Sequence, residues 1–349
     1  MVAKGESGKA LAQAAAYLKG NGGLRRALGI ADGASLDPIP LGMGEHNQNY
    51  LFANPATGQQ FVLRINMVRQ PFHENQVAYE FGALRALQIS GCTPAPLYLD
   101  DSASAPGKGA MVIGFCPGKE LDFDHLNPGD LKRTAALMAD VHAVPVTESC
   151  TVYHPVDALR QLYDECADRF RVYRASAYED ARITRWAEKF LRAGQDALDA
   201  PCPMQDQAHI INTEPLPSHF LLPENPAERG YFIDWERPIV GEVAQDVAYF
   251  TSPTTTFWDS EYLFTREDAQ AFVEMYWQAV DGRFPRGSFD ARFRAWRMMT
   301  ALRSVTWCCK ALVRYGAQGV DYRTDKTLRK LPIYLSDDFM DMTARACLS

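Results

Sequence analysis

The chain has 349 residues, of which 47% are hydrophobic and 23% charged, with a formal net charge of -7. That length exceeds what one compact core usually holds, so two domains or one bilobal domain is expected. The charge argues against a general binder of nucleic acid or anionic membrane, and no stretch approaches the roughly 20 apolar residues that span a bilayer. Eight cysteines are scattered without a CxxC pair. Cys308 and Cys309 are adjacent in a helical pattern, a poor arrangement for a structural disulfide, so all eight read as reduced thiols of a cytoplasmic protein.

The opening stretch MVAKGESGKALAQAAAYLKG reads as an amphipathic helix rather than a signal peptide, because Gln13 breaks its apolar part. Helices are expected over residues 6–19 and 24–29, split by the breaker GNGG. From Ile39 the texture changes to aromatic and β-branched runs around Asn49–Ala53 and Phe61–Ile65, joined by NPATG as a hairpin. HENQVAYEFGALRALQ follows, with Val77, Phe81, Leu84 and Leu87 at helical spacing. PAPLYLDD and GAMVIGF are two further strands, and the turn-rich CPGKEL marks a lobe boundary.

Beyond that boundary the pattern is mostly helical. LKRTAALMADVHAV, ALRQLYDECADRFRVY, RITRWAEKFLRAGQDAL, REDAQAFVEMYWQAV and FRAWRMMTALRSVTWCCKALVRYG each carry an amphipathic period. The expected division is a helical extension over 1–35, a β-rich lobe over 36–118 and a helical lobe over 119–349. The fold class is α+β.

Several chemistries lack their signatures. GESGKA has neither the spacing of a phosphate loop nor a preceding strand, and there is no HExxH, zinc-type Cys/His spacing or GxSxG. Gly42 and Gly44 lie in a turn where bare backbone can approach a phosphate, although hairpins use glycine for positive φ in any case. Arg64 ends the run FVLR, and Glu80 sits on the following helix. Each alone reads as a solvated charge. Their order, glycine turn, strand, cation, then helix with an acid, can bring a guanidinium to a phosphate while a carboxylate holds it.

The stretch HIINTEPLPSHFLLPENPAERGYFIDWERP interrupts the helices. Its apolar runs IIN, FLL and YFID are expected to anchor a loop as a strand pair, and Pro215 and Pro217 restrict that loop. Glu214 and His219 lie on it, and Asp234 ends the last run. An ionised aspartate beside a buried strand is costly unless paired or metal-bound, which an accidental surface turn does not explain. Phosphoryl transfer needs a group to orient a hydroxyl and oxygen-rich ligands for a divalent ion, and this pattern supplies both.

From about Pro40 to Phe250 the chain resembles the aminoglycoside phosphotransferase and choline kinase family. PLGMGEHNQNYLF is similar to its phosphate-covering loop, FVLRIN to its third strand with Arg64 as the cation, and YEFGALRAL to the helix whose acid, here Glu80, pairs with that cation. VIGFCPGKEL resembles the hinge and MADVHAV the helix before the catalytic half. NTEPLPSHF matches the loop HGDxxxxN without gaps: Asn212 stands for the His, Glu214 for the catalytic Asp and His219 for the metal-binding Asn. YFIDWE places Asp234 at the principal metal position, and AQDVAYF places Asp246 at a mainly structural one.

The resemblance implies a bilobal protein-kinase-like fold and an ATP-dependent kinase acting on a hydroxylated small molecule. Gly42 and Gly44 would cover the phosphates, with Arg64 and Glu80 behind them and Phe115 and Cys116 near the adenine. Glu214 would orient the acceptor hydroxyl and Asp234 would carry Mg2+ or Mn2+, with His219 assisting metal or phosphate. Glu for Asp adds on the order of 1.5 Å of reach, and imidazole is an unusual magnesium ligand. A pseudokinase that binds nucleotide without transfer is the alternative. Glu236, Trp258 and Tyr262 are assigned to the acceptor. Between Asp234 and Asp268 eight acids face two arginines, a balance compatible with an amino sugar or amino alcohol, or with acids that are simply solvated.

Overall fold

The computed structural model describes residues 4–43, 47–67, 74–102, 104–200, 208–316 and 325–348. Two N-terminal helices, α1 (Lys4–Gly20) and α2 (Gly22–Ala27), precede five strands. These are β1 (Ile39–Met43), β2 (Asn47–Ala53), β3 (Gln60–Asn66), β4 (Pro96–Asp100) and β5 (Ala110–Gly114), in the antiparallel order β1-β2-β3-β5-β4. Helix α3 (Gln76–Leu87) crosses between β3 and β4.

Alternation along β3 and β5 decides what each face meets. Phe61, Leu63 and Ile65, with Ala110 and Val112, bury against Leu18, Leu24 and Leu28 of the N-terminal helices. Val62, Met111 and Ile113 face the other way, toward Val77 and Leu84 of α3. Arg64 shares the parity of Val62, so the same pleat that buries Leu63 turns Arg64 inward. The N-terminal helices are tied down by polar contacts as well. Buried Arg25 donates to the carbonyls of Leu18, Ala31 and Ala34, and Tyr17 donates to Asp100 at 2.7 Å.

The helices begin and end a little differently from the sequence reading. Only Asn21 separates them, because its side chain caps α2 by accepting from Leu24 N–H at 2.9 Å. Gly42 is not in a turn: it lies in β1 opposite Asn49, just past a register shift after Pro40. Gly44 lies outside the described residues.

Strand β5 runs into the connector. There Gly118 (φ 142°) passes the backbone of Leu221 and Leu222 so closely that a Cβ would sit 2.9 Å from a carbonyl carbon. Only glycine fits.

The second half of the chain is built on α4 (Asp130–His142), α5 (Ala158–Arg174) and α6 (Ala181–Asp199), after the short strand β6 (Lys119–Glu120). Four short strands follow: β7 (His209–Ile211), β8 (Phe220–Leu222), β9 (Tyr231–Phe232) and β10 (Ile239–Gly241). β8 pairs with β6 and β9, whereas β7 pairs with β10. The runs IIN and FLL are therefore not partners; the loop between them crosses from one small sheet to another.

Six helices complete the lobe: α7 (Val243–Phe250), α8 (Pro253–Asp259), α9 (Arg266–Val280), α10 (Phe289–Gly316), α11 (Asp325–Tyr334) and α12 (Asp337–Cys347). Trp235, Trp296, Tyr276, Phe250 and Phe272 are fully buried among them. Seven described cysteines are free, including buried Cys308 and Cys309; Cys202 lies outside the described residues. Among the described residues no helix is long and apolar enough to cross a membrane.

Candidate active site

The loop after β7 is held from below by one acid. Fully buried Asp246, on α7, accepts from the backbone N–H of Asn212 and of Thr213, both at 2.7 Å. His142, at the end of α4, lies 3.3 Å from Asp246 and 2.8 Å from the Tyr276 hydroxyl. This clamp holds Thr213 at φ 74°, in the left-handed region that β-branched residues avoid. Asn212 then joins the two ends of the motif. Its Nδ2 donates to the Asp234 carbonyl at 2.8 Å, and its Oδ1 accepts from Glu214 N–H at 3.2 Å. Asp234 itself has φ 63°, which turns it out of β9.

Across the cleft stands Arg64. Its Nε donates to Glu80 at 3.1 Å, and its Nη2 donates to Asp234 Oδ1 at 2.9 Å and to Glu236 at 3.4 Å. Asn47 on β2 donates to the same Glu236 oxygen at 2.8 Å and accepts from Asn66 at 3.1 Å. Gln76 of α3 donates to the Glu236 carbonyl. Three acidic side chains thus share one guanidinium, with Glu80 buried and Asp234 and Glu236 partly exposed. Burial raises Glu80 to about 7 against the pull of Arg64, and burial with Asp234 beside it raises Glu236 to about 8. Burial also works on Asp234, but Arg64 and His219 outweigh it and hold that carboxyl below the usual range. The same three acids push the Arg64 pKa up despite its burial.

Glu214 sits in a different grip. Its Oε1 accepts from Arg303 of α10 and, at 3.3 Å, from Arg237. Arg303 also donates to the Thr213 carbonyl at 3.2 Å and lies over the Tyr249 ring. Burial would raise the Glu214 pKa, yet the two guanidiniums overcome it and lower it to about 2.

Glu214 and Glu236 line a cavity of about 280 Å³ with Leu216, Arg169, Arg237, Arg303, Tyr249, Thr254, Thr255, Ser304, Trp258 and Trp307. A larger space of about 540 Å³ lies on the other side of Arg237 and Arg303, bordered by Tyr79, Tyr153 and Glu165.

The structure therefore gathers Arg64, Glu80, Asp234, Glu236 and His219 at one place, and places Glu214, Glu236 and Trp258 at the adjoining cavity. Tyr262 is elsewhere. Its ring stacks on Phe123 at 5.0 Å and meets Phe264 edge-on, so it belongs to the core. Trp258 lines the cavity, but Lys326 Nζ already lies 5.3 Å from its ring centroid, where a ligand cation would sit. Half-buried Phe115 and buried Cys116 continue from β5 into the connector, and burial pushes the Cys116 thiol up to about 12. Arg169, Arg237, Arg303, Asn47 and Gln76 were not singled out from the sequence. Only Arg237, next to the IDWE run, had a signal in its position.

A divalent ion fits poorly here. Among the described residues no group of three His, Cys, Asp or Glu is placed to hold one. Asp234 Oδ1 carries the Arg64 bond and Oδ2 lies 3.4 Å from His219 Nε2. His219 Nδ1 accepts from Leu216 N–H at 3.4 Å, which leaves the proton of a neutral ring on Nε2, facing the carboxylate. The expected metal ligands, Asp234 and His219, thus face each other as proton acceptor and donor rather than as an open ligand set.

A model of the phosphotransferase enzyme family matches residues 38–291, more than half of the chain. The chain belongs to the phosphotransferase enzyme family. The fold agrees, with a β-sheet lobe and a helical lobe in the protein-kinase-like arrangement. Spectinomycin phosphotransferase, solved with ADP and spectinomycin, is 11% identical with a TM-score of 0.63, over 92% of this chain and 95% of that one. Ethanolamine kinase of Plasmodium vivax is 13% identical with a TM-score of 0.61, over 91% and 87%. Choline kinase of Cryptosporidium parvum Iowa II is 14% identical with a TM-score of 0.56, over 90% and 93%. No match is found among curated proteins. Family membership supports a phosphotransferase enzyme, and the neighbours support its fold.

Proposed function

We propose that the chain is an ATP-dependent kinase acting on a hydroxyl of a small molecule. The observation that carries this is the coupling of Glu214 and Asp234 through Asn212, with Arg64 reaching Asp234 from the opposite lobe. In this reading residues 36–118 cover the nucleotide, with Gly42 and Gly44 over the phosphates and Phe115 and Cys116 beside the adenine. Residues 119–349 supply the loop and the acceptor cavity, and the helices of residues 1–35 back the sheet. Arg64, aimed by Glu80, contacts phosphate, and Asp234 with His219 positions the phosphate end.

In the transfer step the acceptor oxygen bonds to the γ-phosphorus while the bond from that phosphorus to the β,γ-bridging oxygen breaks, leaving ADP. Glu214 accepts a hydrogen bond from the acceptor hydroxyl and orients it. With a pKa of about 2 it is a weak base, so it keeps its charge while the proton leaves late, to the transferred phosphoryl group or to water. A loose transition state makes this sufficient, because orientation rather than early deprotonation limits the rate.

The test is ADP release from ATP with hydroxylated acceptors, in magnesium and separately in manganese. Turnover lost in Asp234→Ala and strongly reduced in Glu214→Gln supports the kinase. The Arg64 and His219 contacts on Asp234, and the double arginine grip on Glu214, favour one alternative, a nucleotide-binding pseudokinase. A nucleotide-induced thermal shift with no turnover for any acceptor would select that alternative. No shift at all would sink both.

A further inference from the structure

The charge lining the cavity beside Glu214 differs from the one the surrounding sequence suggests. Eight acids crowd residues 234–268, yet of the five charged side chains that line the cavity three are arginines and two are glutamates. Arg169 comes from α5, Arg303 from α10 and Arg237 from the segment before β10, so three elements deliver guanidiniums to one space of about 280 Å³. Two acids line it. Glu214 is committed to Arg303 and Arg237, and Glu236 to Arg64 and Asn47. Arg169 is answered by Glu165 at 3.2 Å through Nη2 only. Its Nη1 is buried, and among the described residues it has no hydrogen-bond partner.

Like charges gathered in a half-buried space repel, and a buried guanidinium N–H without an acceptor is costly. Burial, and Arg303 nearby, hold the Arg169 pKa below its ordinary value, and Lys310 is similarly depressed by burial and by Arg169. The geometry points to an acceptor that carries a negative group, a carboxylate or a phosphate, bound by Arg169 in the cavity that Glu214 also lines. Guanidinium planes suit such oxyanions because two parallel N–H bonds match their geometry. Trp258, Trp307 and Tyr249 give the body of the molecule an apolar wall, and Thr254, Thr255 and Ser304 offer hydroxyls. A cationic acceptor would meet Arg169, while Glu214 and Glu236 are already engaged by arginines and the Trp258 face is held by Lys326. The inference rests on the kinase reading for the role of the cavity, but binding itself does not require turnover.

Trp258 and Trp307 make binding visible by intrinsic fluorescence. The full chain is titrated with 3-phenyllactate, with 3-phenylpropane-1,2-diol, which replaces its carboxylate, with 2-amino-3-phenylpropan-1-ol, which carries an ammonium, and with glycerol 3-phosphate. At least one anion is expected to bind on the order of tenfold more tightly than the diol and the amine. The phenyllactate and glycerol 3-phosphate arms separate carboxylate from phosphate recognition. Arg169→Gln should remove that preference and Arg169→Lys should retain part of it, with folding checked by circular dichroism. The inference is overturned if the amine or diol binds as well as both acids, if neither acid binds below about 10 mM, or if Arg169→Gln, folded, leaves the preference intact. ADP release scored in parallel separates the two failures: an acid that binds without being phosphorylated leaves the anion site standing, and the kinase fails only when no hydroxylated acceptor releases ADP.

Discussion

Arg64 and Asp234 are joined across the cleft by a 2.9 Å bond from Nη2 to Oδ1, although they are 170 residues apart in the chain. The same guanidinium holds Glu80, which is only 5% exposed. Removing the cation leaves that carboxylate buried and unpaired. Arg64→Gln is expected to cost on the order of 3 kcal/mol in urea unfolding at pH 8. At pH 5 the loss should be smaller, since Glu80 and Glu236, raised to about 7 and 8, are then protonated. An equal loss at both pH values would refute this account.

Those two acids also shape the pH dependence of the intact protein. Their folded pKa values lie above the unfolded ones, so the folded state binds more protons between roughly pH 4.5 and 8. Stability from this pair must fall as pH rises through that window. Glu236→Gln keeps an oxygen for Asn47 and should flatten part of the fall. Thermal melts from pH 5 to 8.5 for both proteins measure it.

Glu214 has the opposite sign. Its folded pKa, about 2, lies below the unfolded value, so its stabilisation is present above about pH 4.5 and lost as pH falls toward 2. An acid limb in the turnover profile near pH 5 to 7 therefore belongs to some other group, and Glu214→Asp should leave its midpoint in place. The same substitution should lower turnover by about tenfold or more, because the shortened side chain draws back by on the order of 1.5 Å from Arg303 and Arg237. A shifted midpoint would contradict the assignment.

Asp246 carries two backbone N–H bonds and faces His142 with no exposure to solvent. Asp246→Ala should destabilise the protein by about 3 kcal/mol or more, since three buried groups lose their acceptor together. Asp246→Asn retains one acceptor oxygen and should cost less. Loss of amide-exchange protection at Asn212 and Thr213 in the Asn variant would localise the effect. Unchanged protection there would argue against the clamp.

The N-terminal helices cover Phe61, Leu63 and Val112 on the outer face of the sheet. A chain beginning at residue 36 should expose that face and aggregate, as an uncovered apolar sheet surface does. A monodisperse, cooperatively melting truncated protein would show that the helices are dispensable.

The sequence was legible where a local period or a costly residue marked the position. Strand β3 was legible as a strand, but the direction of Arg64 was not: Phe61, Val62 and Leu63 are all apolar and buried, and only the packing of α3 against one face makes the side shared by Val62 and Arg64 the inward one. Asp234 stood out because an acid directly after Tyr231, Phe232 and Ile233 needs a partner. Gly42 was misread because glycine signals a turn and a bulged strand equally well. Arg303 could not be picked out. Helix α10 carries Arg292, Arg294, Arg297, Arg303 and Arg314, and nothing in the period separates Arg292, which is buried on Glu242, from Arg303, which grips Glu214. Packing of α10 against α5 and α7 decides that, and such packing is a property of the assembled lobe.

The passage of Gly118 against Leu221 and Leu222 has a mechanical corollary. The joint between the halves is riveted at its C-terminal end to β8, the strand that follows the loop bearing Glu214 and His219. The segment before β4 is fastened to the same small sheet, through the bond from Phe232 N–H to the Cys92 carbonyl at 2.7 Å, so the walls that carry Arg64 and Asp234 share one frame.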